Sequence, residues 1–297
     1  KFYDPGKSNI LLNSHHDTVK PNAGYTHSPF EAFEEEGKLY GLGSNDAGGA
    51  LMSLLACFLH YYESENLKYN LVFAATAEEE ISGKNGIELI YPDLGNIEVA
   101  IVGEPTQMKM AVAERGLMVL DCKTEGKSGH AAREEGENAI YKAMQDIEWF
   151  RYYNFPKQGK WLGKVKMNVT LIKSGTQHNV VPDVCEFTVD VRVPECYTNK
   201  EILDLIKKEV SCEVQPRSLR LRSSIIDEDH FIVKAGKKIA LDSIGSATLS
   251  DRALLSCPSV KLGPGDSARS HTANEFIYLD EIEEAISIYN KLLSEIL

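Results

Sequence analysis

The sequence predicts an α/β protein whose mostly parallel sheet is interrupted by a smaller inserted α+β domain, and three features carry that reading. Residues 10–12, 71–76 and 99–102 are short continuous apolar runs, with helical patterns such as residues 50–62 between them. Runs without polar alternation suit strands buried on both faces, and their alternation with helices suits a parallel sheet. From about residue 112 the texture changes: residues 117–124, 166–172 and 185–193 alternate apolar with polar side chains, with helical stretches at 137–150 and 200–210. Period-two alternation marks strands with one wet face, and the order strand, helix, strand, strand, helix, strand is ferredoxin-like. The tail from about residue 222 returns to mixed helix and strand, ends in an amphipathic helix at 281–296, and is expected to complete the first sheet. The expected domains are therefore 1–111 with 222–297, and 112–221.

Composition narrows the function classes. At 297 residues and 43% hydrophobic content the chain can bury real cores. A net charge of −12, from 44 acidic and 32 basic residues without a basic block, speaks against nucleic acid as a partner. Excess carboxylates suit hard or borderline cations instead. Cys57, Cys122, Cys185, Cys196, Cys212 and Cys257 are scattered without a CxxC pair, which fits a reducing cytoplasm. The longest apolar stretch, residues 50–62, is broken by Ser53 and His60 and is too short to span a bilayer, so no membrane role is expected. The chain opens at Lys1-Phe2-Tyr3 without a methionine, close to a central strand, and reads as an N-terminally shortened form.

Each apolar run leads into groups that bind metal. Residues 10–12 precede His15 and Asp17; 71–76 precede Glu78-Glu79-Glu80; 99–102 precede Glu104; 259–262 lead through a glycine-rich loop to His271. In a parallel sheet the carboxyl ends of the strands share one edge, outside which ligands bind. Asp46, in GLGSNDAGGAL, joins them where a helix should begin. Each residue also has an ordinary reading: Asp46 as a helix N-cap, the glutamates as a solvated charge run, Glu104 as a turn residue before Pro105, His271 as a loop histidine. Their convergence outweighs those readings. Because extended side chains alternate, His15 and Asp17 share a face while His16 points away, and a carboxylate on that face suits the second ring nitrogen of a metal-bound imidazole.

The motifs SHHDTV, YGLGSNDAGGAL, ATAEEEISGKNG, IVGEPT, GKSGHAAR, GTQHNVVPD and GPGDSARSHTANEF, in this order over nearly the whole chain, resemble the zinc-dependent aminoacylase and deacetylase (M20-type) family. That family includes acetylornithine deacetylase, succinyl-diaminopimelate desuccinylase and glutamate-type carboxypeptidases. The resemblance implies a metallohydrolase domain with two Zn²⁺, Co²⁺ as a substitute, and an inserted lid and dimerisation domain. It makes His15 and Glu104 ligands of one ion, Glu80 and His271 ligands of the other, Asp46 the bridge, Asp17 the orienting carboxylate and Glu79 the general base. It also implies that His130 enters the site of a partner subunit in a homodimer formed through residues 112–221, and that Asn179 and Arg192 contact a substrate carboxylate. Arg192 has an ordinary reading on the wet face of its strand.

The implied reaction is amide hydrolysis of a small N-acyl amino acid, foremost N-acetylornithine to ornithine and acetate in arginine biosynthesis. The alternatives are N-succinyl or N-acetyl derivatives of citrulline, lysine or diaminopimelate, or a dipeptide or carboxypeptidase substrate. A non-catalytic binding protein would have lost Glu79 or several ligands, and all are present. The charges agree, since Asp46, Glu80 and Glu104 offset three of the four positive charges of two Zn²⁺. Competing signatures fail: Gly126-Lys127-Ser128 has Asp121 where a phosphate loop needs glycine, the Gly263–Ala268 stretch lacks a following βαβ unit, and no GxSxG occurs.

Overall fold

The computed structural model describes residues 3–297; Lys1 and Phe2, at the opening that lacks a methionine, lie outside the described residues. The chain forms two compact units, one of residues up to Ala113 with Ile225–Ser246 and Ser250–Leu297, the other of Glu114–Ser224 with Ala247–Leu249. The predicted fold class is borne out, an α/β sheet interrupted by an α+β insertion.

In the first unit, Asn9–His15 lies second from one end of a seven-stranded mixed sheet, flanked in parallel by the end strand Asn70–Thr76 and by Ile97–Val102. Ser259–Lys261 adds in parallel to Ile97–Val102 and pairs antiparallel with Met110–Glu114 on its other side. Ile10, Leu11 and Leu12 are fully buried, because both faces of this strand are covered. Leu11, Ala100 and Val102 pack with Ile87 and Leu255. The helix Gly49–Tyr61 packs on Asn9–His15 and against the C-terminal helix Leu279–Ser294. The antiparallel pairing at Met110–Glu114 lies toward one side, so the parallel core is retained where the site is built.

A small antiparallel sheet of Phe33–Glu35, Lys38–Tyr40 and Phe276–Tyr278 has no counterpart in the sequence reading. Its tight turn places Glu36 and Gly37 at φ of 52° and 73°, a two-residue connection suited to a hairpin. Phe33, Tyr40, Phe276 and Tyr278 form its ladder of rings.

In the second unit four antiparallel strands lie in the order Glu213–Pro216, Gly116–Glu125, Val184–Val193, Lys166–Ser174. Met118, Leu120 and Cys122 share a core with Phe187, Val189 and Val191, and with Ala143, Phe150, Ile202 and Ile206 from the helices Ala139–Tyr152 and Asn199–Glu209. The expected alternation is visible as buried and less buried residues in turn along Gly116–Glu125 and Val184–Val193. Among the described residues no helix is long and apolar enough to cross a membrane.

Candidate active site

Parallel pairing brings the chemistry together. His15 ends its strand opposite Thr76, so the segment bearing Glu79 and Glu80 emerges beside it. Asn13 is level with Val102, so Glu104 emerges two residues past the neighbouring strand on the other side. Lys261 is level with Val102 in turn, and the loop that follows returns at His271. Asp46 comes from the loop before Gly49–Tyr61. That helix is capped by Gly48 without a side-chain bond, so the N-cap alternative for Asp46 is not adopted.

Asp46 faces two histidines. Its Oδ1 lies 3.3 Å from His15 Nε2, and its Oδ2 lies 3.6 Å from His271 Nε2. Glu104 Oε1 is 3.6 Å from His15 Nε2, and Glu80 Oε2 is 3.0 Å from His271 Nε2. Donor atoms of His15, Asp46 and Glu104 all lie within 4.8 Å of one another, as do those of Asp46, Glu80 and His271. Two adjoining ligand groups thus share one carboxylate. His15, Glu104 and the Glu80 side chain are buried, whereas His271 is about half exposed and takes a left-handed backbone with φ of 60°.

The three successive glutamates separate by environment. Glu78 is turned away and accepts the N–H and side-chain amide of Asn85, both at 2.9 Å. Glu80 meets His271. Glu79 is partly buried in the charged surroundings of His15, Asp251, Lys261 and Glu80. The arrangement around Asp17 differs from the sequence expectation. His15 Nδ1 lies 3.0 Å from the main-chain oxygen of Asp17 but 3.5 Å from its carboxylate, which instead accepts the N–H groups of Glu79 and Glu80 at 3.3 Å each. A carboxylate with two oxygens can hold two successive amides, while the strand-end carbonyl suffices for the ring. His16 is exposed.

Electrostatics makes this a site that calls for a cation. Burial disfavours a charged His15, yet the hydrogen bond to Asp46 and the charges of Glu104 and Glu79 prevail and raise it to about 11. Burial pushes Glu79 up to about 8, helped by Asp251 and opposed by His15 and Lys261. Burial also lifts Glu104 well above the carboxylate range. Asp46 stays low despite burial, because His15, Ser270 and His271 favour its anion. Protons therefore supply the positive charge here, and a divalent cation can replace them. Glu104 Oε1 is buried without a hydrogen-bond partner, a cost that coordination to a metal would remove.

The comparisons with known proteins agree in kind. The model of Peptidase family M20/M25/M40 matches residues 11–295. The chain belongs to this family. A LysW-lysine/LysW-ornithine hydrolase of Sulfurisphaera tokodaii is 31% identical, over 100% of this chain and 84% of that protein. An acetylornithine deacetylase of Myxococcus xanthus is 27% identical, over 93% of this chain and 77% of that protein. Among solved structures, aminopeptidase PepT of Bacillus cereus superposes with a TM-score of 0.76 at 21% identity, covering 99% of this chain and 82% of that one. A Bacillus subtilis protein described as a dinuclear metal binding peptidase of the M20 family gives 0.71 at 15%, covering 97% and 80%. The M20 family is metal-dependent, and this chain is a hydrolase of that family.

The other sequence-predicted residues lie in the second unit. His130 pairs with Val180 across the short ladder of Gly129–His130 and Val180–Val181, and its Nδ1 accepts the Ala132 N–H at 3.1 Å. The Ala131 N–H reaches the main-chain oxygen of Asn179 at 3.0 Å, which makes His130 and Asn179 neighbours. Arg192 is engaged differently, through two bonds of 2.8 and 3.1 Å to Asp190 on its own strand. Sequence reasoning assigned no role to Asn45, Asp251, Lys261 or Glu275, all buried close to the site residues. Asp251 accepts Asn13 Nδ2 and Thr76 Oγ1, each at 2.9 Å. Asn45 and Glu275 lie within motifs on which the family resemblance rests, which was the signal available for them.

Proposed function

We propose that the protein hydrolyses the amide bond of an N-acyl amino acid, with N-acetylornithine the foremost substrate, using two divalent metal ions, zinc by preference and cobalt as a substitute. The observation that carries this reading is Asp46, which presents one oxygen to each of two histidine–carboxylate pairs. His15 and Glu104 would hold one ion, Glu80 and His271 the other, and Asp46 both. Two ions held there would supply positive charge able to acidify a water molecule and polarise the scissile carbonyl.

Glu79 is the general base in this reading. Its carboxyl stands next in sequence to Glu80 but outside both ligand groups, and as the anion that the charge of bound metal would favour it is placed to accept a proton from the attacking water and release it to the departing nitrogen. A C–O bond forms, the C–N bond breaks, and the amine leaves with the proton. Asp17 keeps the order of base and ligand by holding both of their amides. His130 is assigned to the oxyanion in the site of a partner subunit, in a homodimer formed through residues 112–221. Asn179 and Arg192 are assigned to the substrate α-carboxylate, a geometry guanidinium matches with two parallel bonds. Arg192 must then exchange or share its bonds to Asp190.

The names of both curated relatives reported above contain ornithine, while the group attached to it differs. The test follows that division. Rates are compared for N-acetyl and N-succinyl ornithine, citrulline, lysine and diaminopimelate, for a dipeptide, and for the α-amide of the best substrate, with zinc and with cobalt. N-acetylornithine is expected to be fastest and its α-amide much slower. A dipeptide that outpaces every acyl amino acid overturns the substrate assignment, and equal rates on acid and amide overturn the carboxylate site.

A further inference from the structure

Glu275 is a buried carboxylate, only 2% exposed, that points at backbone. One oxygen accepts the Gly43 N–H at 2.9 Å, and the other accepts the N–H groups of Asn45 at 3.1 Å and Asp46 at 2.9 Å. Its own main-chain oxygen takes the Gly41 N–H at 3.1 Å. Three of these four donors lie in the short loop that ends at Asp46, and Gly43 adopts there a left-handed φ of 78° that glycine accommodates without strain. Asn45 binds the opposite loop in return: its Nδ2 donates to the Asp266 oxygen at 3.0 Å and to Ser270 Oγ at 3.2 Å, and its Oδ1 accepts the Asp266 N–H at 3.1 Å. Asp46 and His271 therefore stand on two loops laced together by Glu275 and Asn45. The charge of Glu275 repels that of Asp46, so attraction between the two carboxylates cannot be why it is there. Its contribution is directional.

We infer that Glu275 is a positioning residue that holds the Gly43–Asp46 backbone so that the Asp46 carboxylate presents one oxygen toward His15 and the other toward His271. The inference rests on the reading of Asp46 as the bridging metal ligand. A ligand aimed before binding loses less freedom when the ion arrives, and substitutions of residues that orient ligands typically weaken metal affinity about 10- to 100-fold. Glu275→Gln keeps the size but sets an NH₂ donor against a backbone N–H donor, which leaves the loop one acceptor short.

The test is a competitive Zn²⁺ titration of metal-free wild type, Asp46→Ala and Glu275→Gln, with the visible spectrum of the Co²⁺ forms recorded in parallel. Glu275→Gln is expected to bind zinc about 10- to 100-fold more weakly, to show an altered cobalt spectrum, and to regain turnover as zinc is raised. Asp46→Ala is expected to lose the second equivalent. A variant that is only less stable would bind zinc normally in its folded fraction, and that result overturns the inference. Wild-type binding by Glu275→Gln with Asp46→Ala impaired removes Glu275 and leaves the bridge intact, whereas wild-type binding by Asp46→Ala removes both. Should Glu275→Gln not fold, Glu275→Asp, which keeps the charge on a side chain one methylene shorter, is read the same way.

Discussion

His15 holds a proton because Asp46, Glu104 and Glu79 act on a ring that burial alone would keep neutral, and Glu79 holds one because burial opposes its anion. Both native values lie above the unfolded ones, about 11 against 6.5 for His15 and about 8 against 4.5 for Glu79. Such groups stabilise the fold fully below the unfolded value, and the contribution is lost as pH rises through the native one. Metal-free protein is therefore expected to melt at progressively lower temperature from pH 6 to pH 9, and bound metal to flatten the trend by replacing the protons. A melting temperature that stays level or rises over that window without metal would show that the cluster is not held by protons. Alternation at the strand end was enough to tell His15 from His16. Glu275 carried no such signal, because a side chain that serves backbone amides some 230 residues away leaves no local pattern.

The elements most legible in the sequence are those whose burial is periodic. Residues 10–12 and 99–102 fall within strands covered on both faces, which must be apolar throughout, and residues 71–76 fall within the partly buried end strand Asn70–Thr76. The hairpin of Phe33–Glu35 and Lys38–Tyr40 escaped notice, since its short strands bury no residue fully and rely on a turn and stacked rings. Caps are local as well. Thr198 Oγ1 accepts the Glu201 N–H at 3.1 Å, and Glu201 accepts the Thr198 N–H at 2.7 Å, closing a capping box at the start of Asn199–Glu209. Thr198→Ala is expected to cost about 1 kcal/mol in urea unfolding, since one helix-end donor loses its partner. An unchanged midpoint would mean that packing of Ile202, Leu203 and Ile206 alone holds that end.

For the assembled molecule the test concerns subunits. Under the proposed function Glu79→Gln disables the site of its own subunit, whereas His130→Ala disables the site of the partner. In a heterodimer one site then lacks both groups and the other has both. Equal mixing after dissociation makes about half of the dimers heterodimeric with one intact site of two, so activity is expected to recover to about a quarter of wild type. Verified heterodimers without recovery would mean that His130 serves its own subunit or takes no part in the reaction.

By itself the sequence determined the fold class, an α/β sheet with an α+β insertion, and which residue types follow each buried run. These follow from local free energies: apolar periodicity reports which faces are covered, and that information lies within a few neighbouring residues. Only the tertiary structure decided what meets what. The level pairing of His15 with Thr76 and of Asn13 with Val102 brings Glu80, Glu104 and His271 around Asp46, sends Glu78 to Asn85, and directs the Asp17 carboxylate to two amides. It also buries Asp251, Lys261 and Glu275 beside them. The raised values of Glu79 and His15 belong to the same level, because desolvation and charge act through space and depend on groups that the chain brings together only when every strand has found its neighbour.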